Sequence, residues 1–249
     1  MENAPVISIS GMSPYPGVEP ELWDRFLKWF MEVYGPLMMR WPARKGIDFY
    51  LSASKSPLMP FLFIINHHED VTTQQNATKM PEMVSIYADI ANWQKRNVTD
   101  LVVAAGYQLI KSFRTGISLP GDNQDTRIEN APLMHVEGCD LSTESEKKYN
   151  KWFVEYGIGI FIPLLMKQPG IKGYDYYRFN GFQMRPFNTR GMGCPAYLSM
   201  IYFEDSQAFD SFERSPELAT FNKTMRSVFP LGLNYKWYTQ YERKLSLRR

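Results

Sequence analysis

The chain has 249 residues, of which 44% are hydrophobic and 15% aromatic, so it is long enough to bury one large apolar core or two of ordinary size. Its 28 basic and 26 acidic residues leave a net charge of +2, which argues against a nucleic-acid partner because such a partner needs a strongly basic stripe. No stretch approaches the roughly 18 apolar residues of a membrane span, so no membrane partner is expected.

The cysteines bear on two properties of the protein, its ability to bind a structural metal and its cellular compartment. Cys139 and Cys194 lack the spacing of a structural zinc site, so we expect no metal. Two cysteines among 14 methionines, with no signal peptide at the N-terminus, predict a cytoplasmic protein. No phosphate-binding glycine pattern is present, and we expect neither a nucleotide nor any other cofactor.

The first half of the sequence predicts a strand, a helix, two strands, a helix and a final strand. Alternation predicts the opening strand over residues 5–11, and an apolar stripe at helical spacing predicts a helix from Pro20 to Pro36. The later strands are expected at 47–52, 60–68 and 107–113, and the helix between the last two should be interrupted at Met80, as its counterpart in the second half is at Ser215.

The second half predicts the same series. Thr143 and Glu146 form a capping-box pattern that opens its first helix, which should end at Pro163, and Asp205 is a suitable N-cap for its second helix. The strands are expected at 132–138, 174–179, 195–203 and 235–241.

A repeated segment relates the two halves. Pro36–Tyr50 returns as Pro163–Tyr177, offset by 127 residues, with eight of fifteen positions identical. Such self-similarity indicates an internal duplication. We therefore predict a first ferredoxin-like repeat over residues 1–114, a linker over 115–131 and a second repeat over 132–249.

Each repeat has the order β-α-β-β-α-β, and the predicted fold class is α+β. Two such units in one chain, with their four-stranded sheets facing each other as in a dimeric α/β-barrel, would bury faces that a single unit leaves exposed. The protein would then be a monomer that mimics a dimer, or a homodimer.

The run from Phe203 to Glu217 resembles the exit of the third strand and the second helix of dimeric α/β-barrel proteins. That superfamily includes EthD-like proteins, antibiotic-biosynthesis monooxygenase-like proteins and polyketide cyclases. The resemblance implies that one chain does here what two chains do in the usual dimer. It also implies chemistry from a diverse set: cofactor-free oxygenases, aldol-type cyclases, isomerases, haem enzymes and proteins of unknown role.

His135 is the first candidate for catalysis. It replaces Ser8 of the first half and shares a predicted strand face with Glu137, which would orient it or share its proton. A histidine in an apolar cavity acts as a general base near neutral pH. The structural alternative is a core histidine held by a backbone carbonyl or a tyrosine.

His67 and His68 are adjacent on the third strand and should point to opposite faces. His67, which stands where the second half has Tyr202, is a further catalytic candidate. His68 is a candidate for substrate binding, although a strand end meeting solvent explains it equally simply.

The remaining candidates come from the repeated segment and from a loop. Asp175 and Tyr177 are catalytic candidates, but the first half keeps the equivalent Asp48 and Tyr50, which favours a structural role. The other binding candidates are Tyr50, Tyr202, Arg178, Arg185 and Arg190; the last two lie in a loop, residues 181–194, that only the second half enlarges.

The sequence thus predicts a cofactor-independent enzyme for a small apolar, aromatic or polyketide-like molecule. Proton abstraction would lead to C–C cleavage, aldol-type cyclisation or isomerisation, with Tyr or Arg stabilising the oxyanion. The alternatives are a cofactor-free monooxygenase, a haem-binding enzyme and a non-catalytic protein that binds a small ligand.

Overall fold

Eight antiparallel strands close into one barrel in the computed structural model of the protein. The structure describes residues 5–52, 60–77, 79–115, 131–140, 143–183, 194–229 and 234–248. The strands are β1 (Val6–Pro14), β2 (Arg44–Ser52), β3 (Leu62–His68), β4 (Thr99–Arg114), β5 (Leu133–Asp140), β6 (Ile171–Gln183), β7 (Tyr197–Phe203) and β8 (Asn234–Arg248). Their order around the barrel is β1-β3-β2-β8-β5-β7-β6-β4.

The first and last four strands follow the same order, β4-β1-β3-β2 and β8-β5-β7-β6. Antiparallel pairs β2–β8 and β4–β6 join the two sets and close the barrel. The predicted α+β class is confirmed, and the closed barrel leaves no free sheet edge.

Helices cover the outside of the barrel. They are α1 (Pro20–Trp29), α2 (Gly35–Met39), α3 (Val71–Ala77), α4 (Pro81–Lys95), α5 (Thr143–Trp152), α6 (Ile162–Leu165), α7 (Ser206–Glu213) and α8 (Pro216–Val228). A π-helical stretch joins α1 to α2 at Phe30–Tyr34, and another joins α5 to α6 at Phe153–Phe161. No helix in the described parts of the chain is both long and apolar enough to cross a membrane.

The predicted helix ends at Pro36 and Pro163 are wrong, because each helix continues through its proline into α2 or α6. A proline inside a helix removes a hydrogen-bond donor and crowds the preceding turn. Here both prolines directly follow a π-helical stretch, where the hydrogen-bond ladder is already shifted, so the missing N–H is tolerated.

The structure confirms one predicted helix cap and corrects the predicted lengths of two strands. Asp205 caps α7 as predicted, since its carboxylate accepts from the Ala208 backbone N–H at 2.8 Å. The side chain of Thr143 and the linker from residue 116 to 130 lie outside the described residues. The last strand of each half is much longer than predicted, at 16 and 15 residues.

Side chains along each strand point alternately into the barrel and toward the helices, and the apolar ones form three cores. The barrel interior is filled from both halves, for example by Ile7, Phe63, Met134 and Met200. The outward faces pack under the helices in two further cores, one for each half. His135 follows the inward-facing Met134 in the sequence, so the side chain of His135 points outward, toward the helices.

Candidate active site

A cavity lies between the outward face of β5, β6 and β7 and the helices of the second half. Its enclosed volume is about 40 Å³, and the empty space reaches about 580 Å³ when the open mouth is included. The enclosed part has room for about three water molecules, since a water needs about 10–15 Å³ by the same measure. A ligand the size of an aromatic ring would have to occupy the mouth as well.

The strands supply the polar part of the lining. Alternation turns Glu137 and Cys139 of β5 outward, together with Tyr174 and Tyr176 of β6. Ser199 of β7 lies directly opposite Glu137 on one side and opposite Tyr176 on the other. One carboxylate, one hydroxyl and several phenols therefore converge on a small area of sheet.

The helices supply an aromatic roof. Phe153 and Phe161 come from the π-helical stretch of the second half, a feature that is frequent at functional sites. Phe221 of α8 stacks on Phe161 with ring centroids 4.1 Å apart, and Tyr149 of α5 stacks on Phe153 at 5.5 Å. Flat apolar ligands suit such walls, because aromatic faces pack well against one another.

Glu137 is the carboxylate that lines the cavity, and His135 stands beside it. The two side chains share a hydrogen bond of 3.2 Å between Nε2 of His135 and Oε1 of Glu137. The His135 side chain is 1% exposed, whereas that of Glu137 is 23% exposed. An ionised carboxylate only accepts, so Nε2 of His135 must carry the proton in this bond. His135 thereby holds Glu137 toward the cavity.

The phenols of the cavity remain protonated at neutral pH. Burial is the main reason that the pKa values of Tyr149, Tyr174 and Tyr176 lie above the usual range, and the charge of Glu137 adds to the effect on Tyr174. The hydroxyl of Tyr174 shares a hydrogen bond of 2.8 Å with Oγ of Ser199. A protonated phenol is the form that donates toward an oxygen that gains negative charge.

Cys139 does not supply a nucleophile. Burial, followed by the negative charge of Glu137, raises the pKa of its thiol to about 12. The thiolate is the reactive form of cysteine, and at neutral pH it is scarcely populated here. Glu137 is therefore the group of this cavity suited to take a proton.

Arg178 belongs to β6 and is not one of the residues that line the cavity. It is exposed and binds Glu146 at 2.9 Å, and Glu146 also accepts from the hydroxyl of the cavity residue Tyr197 at 2.7 Å. Arg178 thus reaches the cavity only through these two residues. Arg185 and Arg190 lie outside the described residues.

Most other predicted residues lie inside the barrel, on the opposite side of the sheet. His67 pairs with Asp48 at 2.8 Å through Nε2. Asp175 accepts two hydrogen bonds from Arg114, at 2.7 and 3.0 Å.

Tyrosines complete this interior cluster. The hydroxyl of Tyr177 donates to Asp175 at 3.3 Å, and the ring of Tyr202 lies 5.9 Å from the guanidinium of Arg114. Tyr50 belongs to the same barrel core. The predicted catalytic residues are thus divided between two places, with His135 and Glu137 at the outer cavity and His67, Asp175 and Tyr177 in the interior.

His68 points outward from β3, beneath the helices of the first half. Its Nε2 lies 2.9 Å from Oγ of Ser8, which also accepts from Gln74 at 2.9 Å. Burial, followed by the positive charge of Arg44 nearby, lowers the pKa of His68 well below its usual value. His68 is therefore neutral at physiological pH, and it lies far around the barrel from Glu137.

The cavity contains residues that the sequence alone did not single out, chiefly Tyr149, Tyr174, Tyr176, Tyr197 and Ser199. A signal was present, since Tyr174 and Tyr176 alternate with Asp175 and Tyr177 along one strand. Period-two alternation shows which residues share a face, but not which face meets the helices. Tyr149 comes from a distant helix, and no local pattern relates it to β6.

No family model and no curated protein matches this sequence. Solved structures match over nearly the whole chain. An anthrone oxidase-like protein has a TM-score of 0.68 at 7% identity, covering 99% of this chain and 93% of its own. A monooxygenase candidate from Fusobacterium nucleatum subsp. nucleatum has a TM-score of 0.60 at 10% identity, covering 100% of both chains.

A chlorite dismutase from Candidatus Nitrospira defluvii, in mutant form, has a TM-score of 0.53 at 12% identity and covers 98% of this chain and 93% of its own. Identities this low establish a shared fold and nothing about activity. The fold is that of the ferredoxin-like dimeric α/β-barrel proteins, as predicted from the sequence, and membership of that superfamily stays a prediction. The closer resemblance to EthD-like proteins and polyketide cyclases stays a prediction.

The cavity residues do not suit haem or a bound metal. His135, the histidine on this face of the sheet, is buried behind Glu137 and does not line the cavity, so it offers no axial ligand to a haem bound there. Among the residues that the structure describes, no three His, Cys, Asp or Glu side chains come together in a way that could hold a metal ion.

Proposed function

We propose that the protein is a cofactor-independent enzyme that removes a proton from a small, flat, aromatic or polyketide-like molecule bound at the second-half cavity. We also propose that the chain is a tandem duplication of one ferredoxin-like unit, with the active site kept in the second copy. One observation carries the functional proposal: among the described residues that line the cavity, Glu137 is the one carboxylate, its neighbours are mostly aromatic and aliphatic side chains with a few hydroxyls, and a buried histidine is hydrogen-bonded to it.

Proton abstraction is the step that this arrangement supports. Glu137 takes a proton from a carbon next to a carbonyl or conjugated with it through an aromatic ring, and the electron pair of the C–H bond moves through the π system onto the carbonyl oxygen, giving an enolate or, where the product is aromatic, a phenolate. Tyr174 and Ser199 share one hydrogen bond, and the hydroxyl that accepts in this pair donates its own hydrogen to that oxygen. A positioned base contributes about 10²–10⁴ in rate, and a single oxyanion donor about 10²–10³.

Glu137 takes the role that the sequence prediction gave to His135, because Glu137 lines the cavity and His135 does not. His135 acts as a positioning residue. It donates from Nε2 to Glu137 and limits the carboxylate to one orientation, and rigid orientation of a reacting group is itself a large part of catalysis.

The enolate has several fates, and its first step is common to all of them. Attack on a second carbonyl gives aldol-type cyclisation, return of the proton to another carbon gives isomerisation, and expulsion of a carbon leaving group gives C–C cleavage. Proton transfer precedes all three fates and is the step proposed for this cavity.

Oxygenation is the second candidate, and the names of two structural relatives favour it, the anthrone oxidase-like protein and the monooxygenase candidate. The enolate would react with dioxygen directly. A CH₂ group becomes C=O, one oxygen atom enters the product, and the other leaves as water with the two hydrogens. No cofactor is required, since the substrate carbanion supplies the electrons.

The test measures exchange of the acidic C–H proton for deuterium in D₂O under nitrogen, with anthrone and a panel of aromatic β-diketones as probes. We expect the protein to accelerate exchange of at least one probe, and Glu137→Gln to lose about 10²–10⁴ of that acceleration. Glu155→Gln, which removes an exposed carboxylate within the π-helical stretch of the second half, is the matched control and should keep full activity.

Two results would contradict the proposal. Equal exchange in native protein and Glu137→Gln would exclude Glu137 as the base. Binding of probes without exchange above the buffer rate would favour the non-catalytic role of a ligand-binding protein. Admitting oxygen to an active reaction separates the two enzymatic candidates, because only the oxygenase consumes dioxygen.

A further inference from the structure

The first half holds a buried cation at the place equivalent to the second-half cavity. Arg44 is 2% exposed and lies at the start of β2, between the sheet and the helices of the first half. Its backbone pairs with that of His68, as Ile171 pairs with Phe203 in the second half. Among the described residues, no aspartate or glutamate pairs with Arg44.

Neutral groups surround the guanidinium of Arg44. Its Nη1 donates to Oδ1 of Asn66, and it also forms a hydrogen bond with Tyr34. The ring of Trp41 lies 6.0 Å from the guanidinium carbon and also 6.0 Å from the ring of His68. The Nε of Arg44 is buried and has no hydrogen-bond partner.

The second half is apolar at the equivalent positions. Ile171 replaces Arg44, Ile201 replaces Asn66, and Phe161 replaces Tyr34, with Ile201 and Phe161 in the lining of the cavity. The common fold therefore does not require a polar cluster here. The first half has acquired a cation and the second a carboxylate, on matching surfaces of the two sheets.

An unpaired buried charge costs several kcal/mol of desolvation, and a fold that does not use the charge gains by replacing it with an apolar side chain. Burial, opposed in part by the neighbouring tyrosines, lowers the pKa of Arg44 to about 10, so the guanidinium still carries its charge at pH 7. At physiological pH the Arg44 guanidinium is therefore charged and has no carboxylate of the described residues beside it.

We propose that Arg44 and Asn66 form an anion-binding site that takes the carboxylate of a small aromatic acid. The planar guanidinium matches a planar carboxylate, and its Nε edge is available for it. One negative charge suits a site with one desolvated cation, whereas a phosphate dianion would bring an unbalanced second charge. The rings of Trp41 and Tyr34 give the aromatic part of the ligand apolar contacts.

Entry requires movement of Trp41. This residue is partly exposed and belongs to the turn between α2 and β2, and its ring covers both Arg44 and His68. Displacement of the indole by a ligand would change its fluorescence. The site is independent of Glu137 and of the enzymatic activity proposed for the second half.

Sodium benzoate is the probe, with sodium chloride at equal ionic strength as the reference. At a concentration 100-fold above its Kd, benzoate should raise the melting temperature of the native protein by about 5–10 °C, and it should change the fluorescence of Trp41. Arg44→Met should lose this stabilisation, while Arg40→Met, which removes a neighbouring exposed arginine, and Glu137→Gln should both keep it.

Asn66→Asp is the sharper variant, because it places a carboxylate of the protein itself against Arg44 without changing the shape of the side chain. We expect it to raise the melting temperature without ligand and to weaken benzoate binding at least tenfold by calorimetry. The proposal is overturned if benzoate does not bind the native protein, if it stabilises Arg44→Met equally, or if Asn66→Asp binds it within twofold of the native affinity.

Discussion

The ion pair between Arg114 and Asp175 in the barrel interior allows a quantitative prediction. Its side chains are 7% and 0% exposed, and two hydrogen bonds of 2.7 and 3.0 Å join them. Asp175→Asn preserves the shape but leaves the guanidinium buried without its counter-charge. Breaking a buried pair in this way costs about 3–5 kcal/mol. For a chain of this size the melting temperature should therefore fall by about 6–20 °C.

The control is the exposed pair of Lys172 and Glu204, whose side chains are 2.8 Å apart and 31% and 55% exposed. Glu204→Gln should cost about 1 kcal/mol or less, since solvent screens exposed pairs. Thermal unfolding followed by circular dichroism measures both variants. The double replacement Arg114→Met with Asp175→Leu should regain most of the stability, because no buried charge remains. Equal melting temperatures for Asp175→Asn and Glu204→Gln would refute the reasoning.

Three further predictions concern single residues. In a Cys194→Ser background, Cys139 should resist thiol reagents at pH 8 in the native protein and react after unfolding in urea. The reason is that the raised pKa of its thiol leaves only about 10⁻⁴ of the native molecules with a Cys139 thiolate at that pH. Gly170→Ala should lower the free energy of unfolding more than Gly17→Ala: both glycines have positive φ angles, 81° and 82°, but only the Cβ at residue 170 meets another side chain. His68 is neutral in the folded protein and gains a proton when the protein unfolds below about pH 6.5. The free energy of unfolding should therefore fall as the pH is lowered below about 6.5, by up to about 1.4 kcal/mol per pH unit. Urea titrations should show a smaller fall for His68→Gln over the same pH range.

The order of the elements was predictable because alternation and helical spacing are local properties of the sequence. The lengths of β4 and β8 were not. The opening part of β4 is buried on both faces, with Leu101 and Ala104 under the helices and Ala105 in the barrel interior. A strand buried on both faces has no polar alternation, so only its last part, residues 107–113, showed the expected pattern.

The candidate site was predictable only in part. His135 and Glu137 share a face of one strand, and period-two spacing is sufficient to place them together. The pairing of Asp175 with Arg114, and of Asn66 with Arg44, joins residues that are 61 and 22 positions apart. Such contacts depend on strand register and barrel closure, which a local pattern does not contain. Sequence reasoning therefore found the carboxylate of the cavity and missed both buried arginines.

The central claim is that Glu137 takes the proton, and the ratio of two exchange rates tests it most directly. Deuterium exchange into an activated aromatic ketone is measured by NMR under nitrogen with native protein and with Glu137→Gln, each shown to be folded by circular dichroism. If Glu137 is the base, the native protein should exchange the proton at least about 100 times faster than Glu137→Gln. A ratio within twofold of one, for a probe that the native protein does accelerate, would contradict the claim and would place the base elsewhere in the molecule.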